Sequence, residues 1–283
     1  MAKQYKRKIK KRNVYVHGQI KVLRAVALVI TAAILTAGTL AALRPTKAPA
    51  KLESSRAWLD VRIPEDVPQT KLEYEGFEVS FNPIWHVPNY VAWELTADET
   101  RGTVARNSRF APDRDVYGCA TLEDYRRSGF DRGHMVPAAD MKWSEQAMQD
   151  SHLLTNIVPQ DHSLNSGRWN SLEQKCRYLA QRDSAIVIIA GPILSDRIVR
   201  TIGNSGVAVP ERFFKVIFSP FVEHPQAIAF VMPNRAVQEP LSSMSMTVDR
   251  LEEITGFDFF SSLPDSIENA VESEYNPRFW NLY

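Results

Sequence analysis

Apolar and polar positions divide this chain into two unlike parts. From Ala25 to Leu43, nineteen residues run without a charge (AVALVITAAILTAGTLAAL). At about 1.5 Å per residue, a helix of that length spans the ~30 Å hydrocarbon core of a bilayer. Further on the apolar runs shorten. Tyr74, Phe77, Val79 and Phe81 alternate loosely, and Tyr90–Leu95 reads as a strand. Ala185–Ala190 (AIVIIA) is a buried strand closed by Gly191-Pro192, and Phe213–Phe218 and Ala227–Met232 read as two more. Trp169, Leu172, Cys176, Leu179 and Ala180 recur at three- and four-residue steps, which is one apolar face of a helix. Val248–Thr255 is a short amphipathic helix ended by Gly256. Strands and helices interleave at irregular lengths, so a mixed α/β or α+β sheet is expected rather than a regular βαβ repeat.

Charge sharpens the division. No acid precedes Glu53, while 12 of the 34 Lys and Arg lie before residue 52; the remainder holds 22 bases against 33 acids, a net −11. A broadly basic nucleic-acid-binding surface is therefore excluded for the C-terminal part. The basic stretches Lys3–Arg12 and Lys21–Arg24 predict a cytoplasmic tail (1–24) before a single transmembrane anchor (25–43). Arg44–Ala50 reads as an extended Pro-containing linker (44–55), and one large domain occupies 56–283. The expected location is a single-pass membrane protein with its domain on the periplasmic or extracellular side. A cleaved signal peptide is less favoured, because the flank and the apolar run are both long for one. A mitochondrial targeting segment, or a place in the mitochondrial inner membrane, is also less favoured, because the region is rich in Lys rather than in Arg and Ser.

The candidate chemistry starts at Phe130-Asp131-Arg132-Gly133-His134-Met135, which puts a proton acceptor beside a phosphate-binding fork. Asn156-Ile157-Val158-Pro159-Gln160 follows about twenty residues later, and then come Asn165, Arg168, Trp169 and Glu173. Asn165, Trp169 and Glu173 are spaced i, i+4, i+8 and track along one side of a helix, so an amide oxygen and a carboxylate face one place. Both are hard oxygen donors suited to Mg²⁺. Singly, each residue has an ordinary explanation: Asn165 as a helix N-cap, Glu173 as a solvated helix residue, His134 as a structural histidine. It is the ordered set that carries the argument.

That set resembles the DNA/RNA non-specific endonucleases, the ββα-metal nucleases. The resemblance extends over roughly Tyr90 to Phe260, through Ser128-Gly129 before the DRGH segment, Gly191-Pro192, Val209-Pro210 with Phe214-Lys215-Val216, and Val248-Asp249-Arg250-Leu251-Glu252 with Thr255-Gly256-Phe257-Asp258-Phe259. It implies an α+β fold: a ββα-metal core on a mainly antiparallel sheet flanked by helices. It implies an endonuclease that hydrolyses phosphodiester bonds of DNA and RNA with Mg²⁺, or Mn²⁺ as the alternative. By the same resemblance His134 is the general base, Asn165 the direct metal ligand, and Glu173 a ligand through water. Asn156 orients the site, Arg106 clamps the scissile phosphate with Arg109 as the alternate, Arg132 supports the site or touches phosphate, and Asp131 is structural. DNA, RNA and, through the N-terminal helix, the membrane are the expected partners; monomer and homodimer stay open. The competing reading is a membrane-tethered nucleic-acid-binding or uptake protein with weak or lost nuclease activity.

Cys119 and Cys176 are the only cysteines, too few for a four-ligand zinc site without suitably spaced histidines. Cys176 lies on the apolar helix face and is expected in the core; a Cys119–Cys176 disulfide in an oxidising compartment is the less favoured alternative.

Overall fold

The structure is a computed structural model in which residues 58–106, 109–195 and 197–282 are described. The chain separates into two units, Met1–Ala50 and Lys51–Tyr283, and the described residues belong to the second. The expected tail, anchor and linker (1–24, 25–43 and 44–55) lie outside the described residues. Among the described residues, no helix is long and apolar enough to cross a membrane.

The strands in chain order are β1 (Val61–Arg62), β2 (Thr70–Tyr74), β3 (Phe77–Asn82), β4 (Val87–Thr96), β5 (Asp131–His134), β6 (Ile157–Gln160) and β7 (Ala185–Ile193), then β8 (Arg200–Ile202), β9 (Val207–Val209), β10 (Arg212–Ser219), β11 (Gln226–Pro233), β12 (Ser245–Met246) and β13 (Asp258–Phe259). The helices are α1 (Leu122–Tyr125), α2 (Glu145–Asp150), α3 (His162–Leu164), α4 (Asn170–Asp183), α5 (Val248–Thr255) and α6 (Asp265–Glu272). Seven strands form one sheet in the order β12-β11-β10-β7-β4-β3-β2, and every neighbouring pair runs antiparallel. The expected strands are present and slightly longer. β7 continues through Gly191-Pro192, because that pair still opposes Phe214 and Phe213 of β10.

Both faces of the sheet are dry, and the period-2 alternation of side chains explains the two cores. Val91, Trp93 and Leu95 of β4, Ile186, Ile188 and Ala190 of β7, and Phe213 and Ile217 of β10 point to one side. There they meet Trp169 and the Leu172, Cys176, Leu179 and Ala180 face of α4. Tyr90, Ala92, Val187, Ile189, Phe214, Val216 and Phe218 point to the other, against Val248 and Leu251 of α5 and Val271 of α6. The helix expected at Val248–Thr255 forms there; Gly256 closes it at φ 70°, in the left-handed region that glycine occupies without a Cβ penalty.

Cys176 is buried and Cys119 half-buried, and both are free thiols. Cys119 Sγ accepts a hydrogen bond from the Asp113 amide, and Cys176 is part of the core beneath α4.

The centre of the sheet has no room for one more carbon. A Cβ on Gly191 would lie 2.4 Å from the Asn89 carbonyl oxygen and 2.7 Å from the Phe214 ring. Gly191→Ala is therefore expected to cost roughly 1–3 kcal/mol, the usual range for overpacking. An unchanged urea midpoint would show that the strands separate more easily than this contact allows.

Candidate active site

The DRGH segment is a strand because it has a partner. β5 pairs with β6 in the register Asp131↔Gln160, Arg132↔Pro159, Gly133↔Val158, His134↔Ile157. The ribbon ends in a side-chain clamp. Asn156, fully buried, accepts from the Val136 amide through Oδ1 at 2.9 Å. Its Nδ2 donates to the Val136 carbonyl at 3.0 Å and to the Ser151 carbonyl at 2.8 Å. Its own carbonyl accepts from the Met135 amide at 3.0 Å. Asn156 thus holds the chain immediately after His134; both N–H groups of its amide are used within the fold, and the side chain is fully buried.

Gly133 is required by its neighbour: the Gln160 side chain lies across it so closely that a Cβ would meet Oε1 at 2.3 Å. His134 and Arg132, two residues apart on the strand, share Phe110. Arg132 stacks over that ring at 4.5 Å, and the His134 ring lies 5.2 Å from it. Phe110 is brought there by Ala111, whose backbone pairs with His152 and Leu154. Arg106 is exposed, and its charge reaches His134, His152 and Glu173. Arg109 is exposed as well.

His134 is 9% exposed, and its Nε2 is sealed off without a hydrogen-bond partner. Burial foremost, then the nearby His152 and Arg106, push the imidazole down to about 3. A second imidazole, absent from the sequence-level reading, stands beside it. The His152 ring lies 4.9 Å away at 84°, edge to face. Its Nδ1 faces the Met148 carbonyl at 2.9 Å, so that nitrogen carries the proton and Nε2 is a bare acceptor. Burial lowers its affinity for a further proton. The signal was present in the chain: two histidines, His152 and His162, flank the Asn156–Gln160 segment.

Asn165 does not cap a helix. That role belongs to Asp161, whose carboxylate accepts from the amides of Ser163 and Leu164. Asn165 opens a widened π turn, Asn165–Trp169, bent at Gly167 and leading into α4. Such turns recur at functional sites. Its Nδ2 donates to Asp131 Oδ2 at 2.8 Å, and His162 Nδ1 contacts the same oxygen at 2.9 Å. Asp131 therefore does more than fill space. It fixes the Asn165 amide through its Nδ2, so that Oδ1 points away from this bond. The regular i, i+4, i+8 helical track drawn from the sequence is interrupted, because the backbone leaves helical geometry at Gly167, between Asn165 and Glu173.

Glu173 is half-buried on α4. Burial pushes its carboxyl up to about 7, against the opposing pull of Lys215, with Asp140 adding to the rise and Arg177 and Arg106 reducing it. A hard cation would complete the charge balance of this acid and satisfy the Asn165 oxygen, so the donor set fits a divalent metal. Under α4, Asp140 is fully buried between the Trp93 indole N–H at 3.3 Å and Arg177 at 2.8 Å. Lys215, fully buried, lies over the Trp169 and Trp93 rings at 4.5 and 5.0 Å.

Comparison with known proteins agrees with this picture. A family model described as DNA/RNA non-specific endonuclease matches residues 55–266. "Nuclease EXOG, mitochondrial" of Danio rerio is 35% identical over 218 residues, covering 71% of this chain and 63% of that protein. The match thus spans slightly less than two thirds of that relative. "Nuclease 1, mitochondrial" of Schizosaccharomyces pombe is 33% identical over 233 residues, covering 75% and 72%. The solved structure titled "Crystal structure of the EndoG/EndoGI complex: Mechanism of EndoG inhibition" aligns with TM-score 0.64 and 27% identity, over 69% of this chain and 87% of that one.

These relatives overturn the expected location. The nucleases of Danio rerio and Schizosaccharomyces pombe, like a further one from Saccharomyces cerevisiae, bear mitochondrial names, not those of single-pass periplasmic or extracellular proteins. The physical reason is that hydropathy and flanking charge measure affinity for a bilayer; they do not say which membrane is met or whether the segment is kept. The antiparallel sheet, the ribbon bearing His134 and the matched family over residues 55–266 lead to one conclusion: the chain belongs to the DNA/RNA non-specific endonuclease family.

Proposed function

We propose that this chain is a metal-dependent endonuclease that hydrolyses phosphodiester bonds of DNA and RNA without reading bases. The observation that carries the reading is the pairing of two prepared groups on one scaffold. His134 is held neutral by burial, and Asn165 is turned by Asp131 so that its oxygen is free.

In this mechanism the neutral His134 imidazole accepts a proton from water as it attacks phosphorus. Arg106, with Arg132 stacked on Phe110, neutralises charge on the phosphate. Asn165 directly, and Glu173 through water, would hold a divalent cation, Mg²⁺ in our reading with Mn²⁺ as the alternative. Once bound, that ion stabilises charge on the scissile phosphate and the leaving oxygen. Asp131 and Asn156 touch no reacting atom in this scheme; they position Asn165 and His134. The groups assigned to substrate address phosphate, so the sequence preference is weak. Plasmid nicking that requires a divalent metal and stops in EDTA tests the reading; binding without nicking under any metal would defeat it.

Three expectations follow from the geometry. His134→Ala should fold and bind nucleic acid while its single-turnover rate falls about 10²–10⁴-fold, the usual contribution of a placed base; a variant that nicks plasmid at the parent rate would end the assignment.

Asn165→Ala should abolish most metal-dependent cleavage. Asp131→Ala, which frees the amide to rotate, should weaken metal use by about 10–100-fold. Metal titrations of both variants provide the check, and equal midpoints for Asp131→Ala and parent would refute the orienting bond.

The pH profile should separate the two titrating groups. The base works only when neutral, and the His134 imidazole stays neutral well below the usual value of about 6.5, so at saturating metal the rate persists as pH falls through that value. Glu173 protonates near 7, so the metal concentration needed for half-maximal rate should rise as pH falls through 7. Glu173→Gln should flatten that dependence. An acid limb at about 6.5 under saturating metal would contradict the buried, neutral state of His134.

A further inference from the structure

On the face of the sheet opposite α4, the helices α5 and α6 bring three carboxylates together. Asp249 and Glu252 belong to α5 and Glu272 to α6, and one oxygen of each lies within 4.8 Å of the others. Glu272 is only 6% exposed, and its Oε1 is sealed from solvent without a hydrogen-bond partner. A carboxylate tucked into such a place without a donor is costly. The cost is increased by position, because Glu272 is the last residue of α6, where the free carbonyls of a helix repel an anion and attract a cation.

The surroundings do not neutralise it. Asp258 and Glu268 also face this group, so Glu272 is pushed up to about 9 by burial and by its acidic neighbours, and Glu252 to about 7. Arg62 approaches, but it is paired with Asp258 at 3.0 Å; Arg250 is paired with Glu253. Glu252 spends one oxygen on the Phe259 amide at 2.8 Å. The remaining carboxylate oxygens converge on a place that wants positive charge.

We propose that Asp249, Glu252 and Glu272 form a second cation site, for Ca²⁺, which ties α5 to α6 and is distinct from the Asn165 centre. The donor set is all oxygen and supplies several carboxylates, which suits the six to eight ligands Ca²⁺ takes. Mg²⁺ demands a nearly ideal octahedron and keeps most of its water, and two helices meeting at a shared apolar seam do not offer that. The role is structural, since the sheet separates these helices from His134.

The test uses the full chain carrying Asn165→Ala, so that the catalytic cation ligand is gone and the outcome stands whether or not the nuclease reading holds. Thermal unfolding is followed near neutral pH in EDTA, in CaCl₂ and in MgCl₂, with a calorimetric titration by CaCl₂ alongside. One calcium should bind, and at ~100-fold excess over Kd the midpoint should rise by roughly 5–10 °C, far more than in MgCl₂. Glu272→Gln should abolish both signals; in the chain that keeps Asn165 it should remove one binding event. Absence of calcium heat and shift in the Asn165→Ala chain would overturn the proposal. So would a calcium shift that survives both Glu272→Gln and Glu252→Gln. If Glu272→Gln stabilises the metal-free chain and calcium has no effect on the parent, the carboxyls share a proton instead, and the cation site is refuted.

Discussion

The active ribbon depends on one buried amide. Asn156 satisfies both backbone groups of Val136 and a third on Ser151, and so makes with a side chain the pairing that a neighbouring strand would otherwise supply. Without it, the chain leaving His134 would bury unpaired polar groups, each costing about 1–3 kcal/mol. Its hold acts on both sides of the ribbon: upstream it sets the depth at which His134 is buried, and downstream it starts β6, whose register with β5 lays Gln160 across Gly133. The buried His134 thus has a dry and rigid seat, and this amide provides it from within the fold.

A second layer of charge lies under α4. Lys215 occupies the sheet position between Phe213 and Ile217 that the alternation reserves for an apolar residue, and it reaches only aromatic faces. A desolvated cation over an indole is stabilised by about 2 kcal/mol or more. That helps to hold a positive charge beneath Asp140 and Glu173, and its field opposes the effect of burial on both acids. The core and the site are therefore not separate structures, since the same ammonium group that fills a hole among tryptophans also biases the acid above it.

Much of this architecture was legible in the chain. The alternation of β4, β7, β10 and β11, the helical face of Trp169 to Ala180 and the stop at Gly256 follow from local periodicity, which tertiary packing here reinforces. The order of Asp131, His134, Asn156, Asn165 and Glu173 also identified the family. What was hidden depends on contacts between distant segments. Phe110 reaches His134 only because Ala111 docks beside His152, and no spacing rule predicts that. Asp131 read as a structural residue because its hydrogen bond to Asn165 spans 34 positions. The run at Ala25–Leu43 misled for a different reason: its apolarity was read correctly, but a destination inside the cell is decided by recognition and not by partition into lipid.

The π turn at Asn165 has a consequence for how such chains can vary. The bend at Gly167 lets one continuous segment serve two directions, with Asn165 facing Asp131 of the ribbon and Leu172, Cys176 and Leu179 facing the sheet. Straightening the bend at Gly167 into regular helix would turn the amide away from Asp131, even if every side chain named in the site were kept. In this segment the path of the backbone, and not the side chains alone, sets where Asn165 lies.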